Sequence, residues 1–159
     1  MVVTESDTFY ADVVVASADY HHIDKKVLDP KYSNYSDKYW DKRKMAPSSL
    51  LFYLGIKGEV PNVLHHNLFF DHELDQHAHE IYTDPKWPTK PLFYASAPSK
   101  TDSTVAPEGC ENMFLLMPTA PGMEGDTEEV REKYYNLMMD RLEAFTGSSI
   151  RDRVVVKRS

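Results

Sequence analysis

Apolar and polar positions divide the chain into short blocks separated by proline- and glycine-containing stretches. The first block, "ADVVVASAD" (residues 11–19), carries three consecutive valines and predicts a strand buried on both faces. The last, "RDRVVVKRS", predicts a strand at residues 154–156. Neither has an evident partner nearby, so both are expected to pair with sequence outside these residues. Between them, "SSLLFYLGIKG" predicts a strand over residues 50–56 and "NVLHHNLFFD" another over 63–70, joined as a hairpin. "DHELDQHAHEIYTD" predicts a helix capped by Asp71, with Leu74, Ala78 and Ile81 on one face. Residues 92–97 and 112–118 predict two further strands. "DTEEVREKYYNLMMDRLEAFTG" predicts the longest helix, with Asp126 or Thr127 as its cap, Gly147 after its last turn, and an apolar stripe of Val130, Tyr134, Leu137, Met138, Leu142 and Phe145. The pattern as a whole is α+β, a mostly antiparallel sheet with flanking helices.

Composition narrows the function. Of 159 residues, 42% are hydrophobic and 27% charged, the balance of a globular domain rather than a disordered chain. The net charge is −7 and no basic cluster interrupts it, which argues against nucleic acid as a partner. The single cysteine, Cys110, excludes an internal disulfide and suits a reducing, cytoplasmic setting. No apolar run approaches the ~20 residues of a spanning helix.

Common catalytic motifs are missing. The seven histidines do not group as metal ligands. His72 and His77 are five apart, about 140° around a helix, and cannot grip one zinc ion from one face. His65 and His66 are strand neighbours and point to opposite faces. No metal site is expected, and the histidines read as solvated or hydrogen-bonded. There is no Gly-x-Ser-x-Gly elbow, nothing that activates Cys110, and no Gly-x-Gly-x-x-Gly or Walker loop. Aromatic residues and methionines crowd the strand blocks. Those residue types serve equally for a core or for a channel that holds a long apolar ligand.

Five segments carry a family resemblance: "ADVVVASADYHH", "APSSLLFYLGI", "HHNLFF", "PSKTDSTVAPEGCENMFLLMPTAPG" and "IRDRVVVKR". In this order and spacing they resemble the phytoene desaturases of the FAD-dependent, bacterial-type carotenoid desaturase family. Members are much longer and carry glycine-rich FAD segments at both ends. The resemblance implies that this chain is a central portion. Residues 1–20 would hold a strand returning to an FAD-binding α/β domain, and residues 21–159 the substrate-binding region.

It also implies a function: desaturation of phytoene towards lycopene, by hydride transfer to FAD and loss of a proton. The alternatives are a related desaturase or isomerase acting on another carotenoid or retinoid, and a non-catalytic module that binds apolar ligands. By resemblance, Asp102 in "TDSTVAPEG" is the candidate catalytic carboxylate. Ala16, Ser17 and Ala18 are candidates near the FAD. His66, Phe69, Phe70, Phe114 and Met117 are candidates to line the substrate tunnel. The family also implies peripheral membrane association, for which "YSNYSDKYWDKRK" offers tyrosines, a tryptophan and lysines.

Overall fold

The computed structural model describes Met1–Ser159, which form two compact units, Met1–Lys44 and Met45–Ser159.

In the first unit β1 (Val2–Val3) and β2 (Thr8–Phe9) pair antiparallel. Residues 11–19, expected as a strand, form none, and Val13, Val14 and Val15 are exposed. A strand requires a neighbour to satisfy its backbone donors and acceptors, and no segment of the unit supplies one. Next come α1 (Tyr20–His22), capped by Asp19, and α2 (Asp37–Trp40), capped by Ser36. Their connection folds around Asp24, which is 1% exposed. Its carboxylate accepts from Ser33 Oγ at 2.7 Å, Asn34 N at 2.8 Å and Trp40 Nε1 at 3.1 Å. Burial opposes its charge, but these three donors and Lys25 outweigh burial and hold the carboxyl below its usual range.

The second unit is one antiparallel sheet with helices packed on it. β3 (Ser48–Lys57), β4 (His66–Phe69), β5 (Phe93–Ser96), β6 (Cys110–Thr119) and β7 (Val154–Arg158) stand in the order β4-β5-β6-β3-β7. Two helices, α3 (Leu74–Tyr82) and α4 (Glu128–Thr146), complete it. The expected hairpin between the second and third blocks does not form: β3 pairs with β6 and β7, and β4 pairs only with β5, at the opposite edge. The connection explains this. Val60 and Val63 within it are buried, and a tight hairpin would leave both in solvent. Asn62, at φ 61°, turns this connection and donates to Thr146 O at 3.2 Å.

The terminal valine strand also departs from expectation. β7 has a partner in this chain, β3, with a register shift at Gly55 and Ile56. A Cβ on Gly55 would stand 3.2 Å from Val156 Cβ, so the missing side chain lets β7 approach.

Alternation sorts the strand residues onto two faces. Leu50, Phe52, Leu54 and Ile56 of β3 and Met113, Leu115 and Met117 of β6 face the core. There they meet Tyr134, Tyr135, Met138, Met139 and Leu142 of α4. The helix is rotated from the expected stripe: Tyr135 and Met139 are buried, while Leu137 and Phe145 are exposed. Thr127 caps its start, and Gly147, at φ 66°, ends it with a left-handed turn.

Candidate functional site

The other face of the sheet has no helix laid along its length, yet it is apolar. By register, β3 contributes Leu51 and Tyr53, β6 contributes Phe114 and Leu116, β5 contributes Tyr94, and β4 contributes His66 and Leu68. Their rings form a connected surface. Phe114 stacks on Tyr53 with centroids 6.2 Å apart and meets Tyr94 edge-on at 5.5 Å. Tyr53 and Leu68 are more than half exposed. Leu51, Tyr94, Phe114 and Leu116 between them are half-buried, so the apolar positions adjoin one another rather than lying scattered.

At one end α3 closes over this face and leaves a groove of about 280 Å³. Leu68, Phe70, Leu74, Ile81, Tyr94 and Leu116 line it. The helix is held down by His77, which is 3% exposed. Its Nδ1 accepts from Leu92 N at 3.1 Å, and its Nε2 donates to Pro118 O at 2.9 Å. Both partners are backbone groups with fixed roles, so they set one neutral tautomer. Glu80 on the same helix accepts from Thr89 N and Thr89 Oγ1 at 2.9 and 2.6 Å. Burial pushes its carboxyl up, but those bonds, Gln76 and Lys86 prevail and keep it below the usual value. Asp71 does not cap α3, whose N-cap is Glu73. It pairs with Arg141 of α4, which also donates to Phe69 O and Pro91 O.

The five candidate tunnel residues do not share a face. His66, Phe70 and Phe114 lie on the open face or at its groove. Phe69 points to the opposite side, stacked on Phe93 at 4.3 Å and against Phe145. Met117 is fully buried in the core beneath α4. Strand alternation separates them, since Phe69 neighbours Phe70 and Met117 is an odd number of residues from Phe114. Leu51, Tyr53, Tyr94 and Leu116 were not singled out as site residues from the sequence, though the same alternation, once the register is known, finds them.

Asp102 lies in a loop fastened to the sheet end. Ser99 N donates to Asn112 Oδ1 at 3.1 Å, Thr101 Oγ1 meets His65 Nδ1 at 2.6 Å, and Lys100 pairs with Glu111 at 2.7 Å. Asp102 itself is exposed, and its Oδ1 accepts from Thr104 N at 2.8 Å and Thr104 Oγ1 at 2.6 Å. These two donors hold its carboxyl below the usual value, so it is ionised at neutral pH. Ala16, Ser17 and Ala18 are exposed on the unpaired stretch before α1. In the aromatic, lysine-rich segment considered for membrane contact, Trp40 directs its indole N–H to Asp24 and packs against Tyr20, Tyr35 and Tyr39. Its ring forms part of that cluster. No helix is long and apolar enough to cross a membrane.

Comparison with known proteins shows the family to which the chain belongs. The chain is 40% identical over 152 residues to a carotenoid 3,4-desaturase of Haloarcula japonica, covering 96% of this chain and 30% of that protein. It is 33% identical over 135 residues to a zeta-carotene-forming phytoene desaturase of Myxococcus xanthus, covering 82% of this chain and 26% of that one. A phytoene desaturase of Phycomyces blakesleeanus is 32% identical over 131 residues, covering 82% of this chain and 22% of that protein. No protein-family model matches. The chain belongs to the carotenoid desaturases, a family of oxidoreductases. It spans less than a third of the length of these curated relatives.

Proposed function

We propose that this chain forms the substrate-bearing sheet of a carotenoid desaturase. A long polyene lies along the open face, over Leu51, Tyr53, Phe114 and Leu116, with one end in the groove under α3. The observation that carries this reading is the unpartnered apolar face itself. A polyene offers only apolar surface and π-electron density, and a wall of aliphatic and aromatic side chains matches both. α4 packs on the sheet's other face, and no helix runs the length of this one.

In this reading Asp102 supplies the carboxylate that faces positive charge developing on the polyene and takes the proton that leaves carbon. Its ionised state and its second oxygen, Oδ2, free of protein partners, support the role. A flavin as hydride acceptor, and reversible contact with a membrane that stores the substrate, follow from the family resemblance alone. The substrate is phytoene in the first reading. A second reading, desaturation of a different carotenoid, is favoured by similarity to a relative named for the 3,4 position.

The test is expression of the complete gene in a host that accumulates phytoene, followed by pigment extraction. New absorption bands at longer wavelength support the first reading. Colourless extracts, together with conversion when a more unsaturated carotenoid is supplied, support the second.

A further inference from the structure

On β6 the open face continues past Phe114 to Asn112, two residues nearer the loop that carries Asp102. Asn112 and Phe114 border one hollow of about 430 Å³, which Tyr53, Gly55, Pro98 and Val156 also line. Asn112 Oδ1 accepts from Ser99 N at 3.1 Å, and its Nδ2 donates to Val105 O at 3.3 Å. Both partners are backbone groups of fixed role, so they set the orientation of the amide. One side chain thus grips the loop three residues before Asp102 and three residues after it.

The second grip has no substitute. Before Asp102 the loop is held several times over: Asn112 N donates to Ser99 Oγ at 3.3 Å, Thr101 Oγ1 meets His65 Nδ1, and Lys100 pairs with Glu111. Of residues 102–106, only Val105 is hydrogen-bonded to the sheet, and only through Asn112 Nδ2. The other bonds of that stretch stay within the loop: Asp102 N donates to Pro98 O at 3.0 Å, and Thr104 donates to Asp102. Residues 102–105 are exposed, so packing does not hold them.

We infer that Asn112 is a positioning residue for Asp102. It fixes the carboxylate relative to the strand that carries Phe114, and so relative to a polyene lying over that ring. This rests on the reading of Asp102 as the carboxylate that takes the proton, and of the open face as the polyene surface. Removing a proton from carbon needs the base within reach of one hydrogen, and a displacement of ~1 Å costs on the order of a hundredfold in rate. Gripping the loop on both sides of Asp102 restricts such displacement without placing a further group on the substrate.

The test is a double-mutant cycle in the full-length protein, with phytoene and lycopene supplied in liposomes and turnover followed on whichever wild type converts. Asn112→Leu keeps the size of the side chain and removes both of its bonds. It is expected to lower kcat about tenfold with KM changed less than about twofold. Hydrogen exchange across residues 101–106 is expected to quicken. Added to Asp102→Asn, it should lower kcat less than about twofold further, because no catalytic carboxylate is left to position. Asn112→Asp keeps the acceptor for Ser99 N and loses only the donor to Val105 O. It should behave in the same way, and it carries the test if Asn112→Leu fails to accumulate. Unchanged turnover in the Asn112 variants, with Asp102→Asn impaired, would overturn this inference alone. Losses that multiply in the double variant would show that Asn112 acts independently of Asp102, and would also overturn it. Failure of both Asn112 variants to accumulate would make Asn112 a residue of the fold and would overturn it too. Unchanged turnover in Asp102→Asn would overturn the reading of Asp102 and this inference with it. Conversion of neither substrate by wild type would overturn the desaturase reading on which both stand.

Discussion

Thr104 donates two hydrogen bonds to a single oxygen of Asp102, from its backbone N at 2.8 Å and its hydroxyl at 2.6 Å, and leaves the second carboxylate oxygen free. The turn thereby presents an ionised carboxylate from a loop that Lys100, Ser99 and Thr101 tie to the sheet. Asp102→Asn keeps an amide oxygen to accept from Thr104 and removes only the charge. In the full-length enzyme it is expected to lower turnover by at least about tenfold with little change in melting temperature. Unchanged turnover would end the proposal for Asp102 and leave it a turn-fixing residue.

The two faces of β6 are expected to respond differently to substitution. Met117→Ala opens a cavity under α4 and should destabilise the fold by about 2–5 kcal/mol. Phe114→Glu, on the open face, should cost far less stability and instead remove binding of a polyene. Denaturant unfolding and carotenoid binding on the same two variants separate the faces.

His77 should act as the latch of α3. His77→Leu removes both backbone partners and leaves Leu92 N and Pro118 O unsatisfied, at a cost of about 1–3 kcal/mol. Hydrogen exchange should report the loss locally, as faster exchange in Leu74–Tyr82 with α4 unaffected.

Glu80 makes the second unit sensitive to acid. Its folded pKa lies below the ordinary carboxylate value because Thr89 donates to it twice, despite burial. A depressed folded pKa contributes stability that is present above the unfolded value, near 4.5, and is lost as pH falls through the folded one. Glu80→Gln should therefore melt lower than wild type at pH 7, with the gap narrowing as pH drops below about 4. A gap that stays constant with pH would argue that the lost interaction is not charge-dependent.

Much of the second unit was legible in the sequence. Alternation and the cap signals of Thr127 and Gly147 locate β3, β6 and α4, because local chemistry decides those elements. Long-range pairing was not legible. "GIKGEVPNVLHH" looks like a hairpin turn until Val60 and Val63 are seen to prefer the core, which carries β4 to the far edge. β7 looks partnerless because its partner, β3, lies about a hundred residues earlier. The site suffered from the same gap. The resemblance names Phe69 and Met117 together with Phe114, and only the register shows that they face α4. His77 read as one more histidine, since its value lies in two backbone groups distant in sequence.

The central claim is that the open face of the sheet carries the polyene. Its most direct measurement is the pigment profile of a phytoene- or lycopene-fed host that expresses the full-length protein with Phe114→Glu, beside wild type and Leu137→Glu on the exposed side of α4. The account predicts that wild type and Leu137→Glu form the same desaturated product, while Phe114→Glu accumulates to a similar level and forms at most about a tenth as much. Full product formation by Phe114→Glu would contradict it.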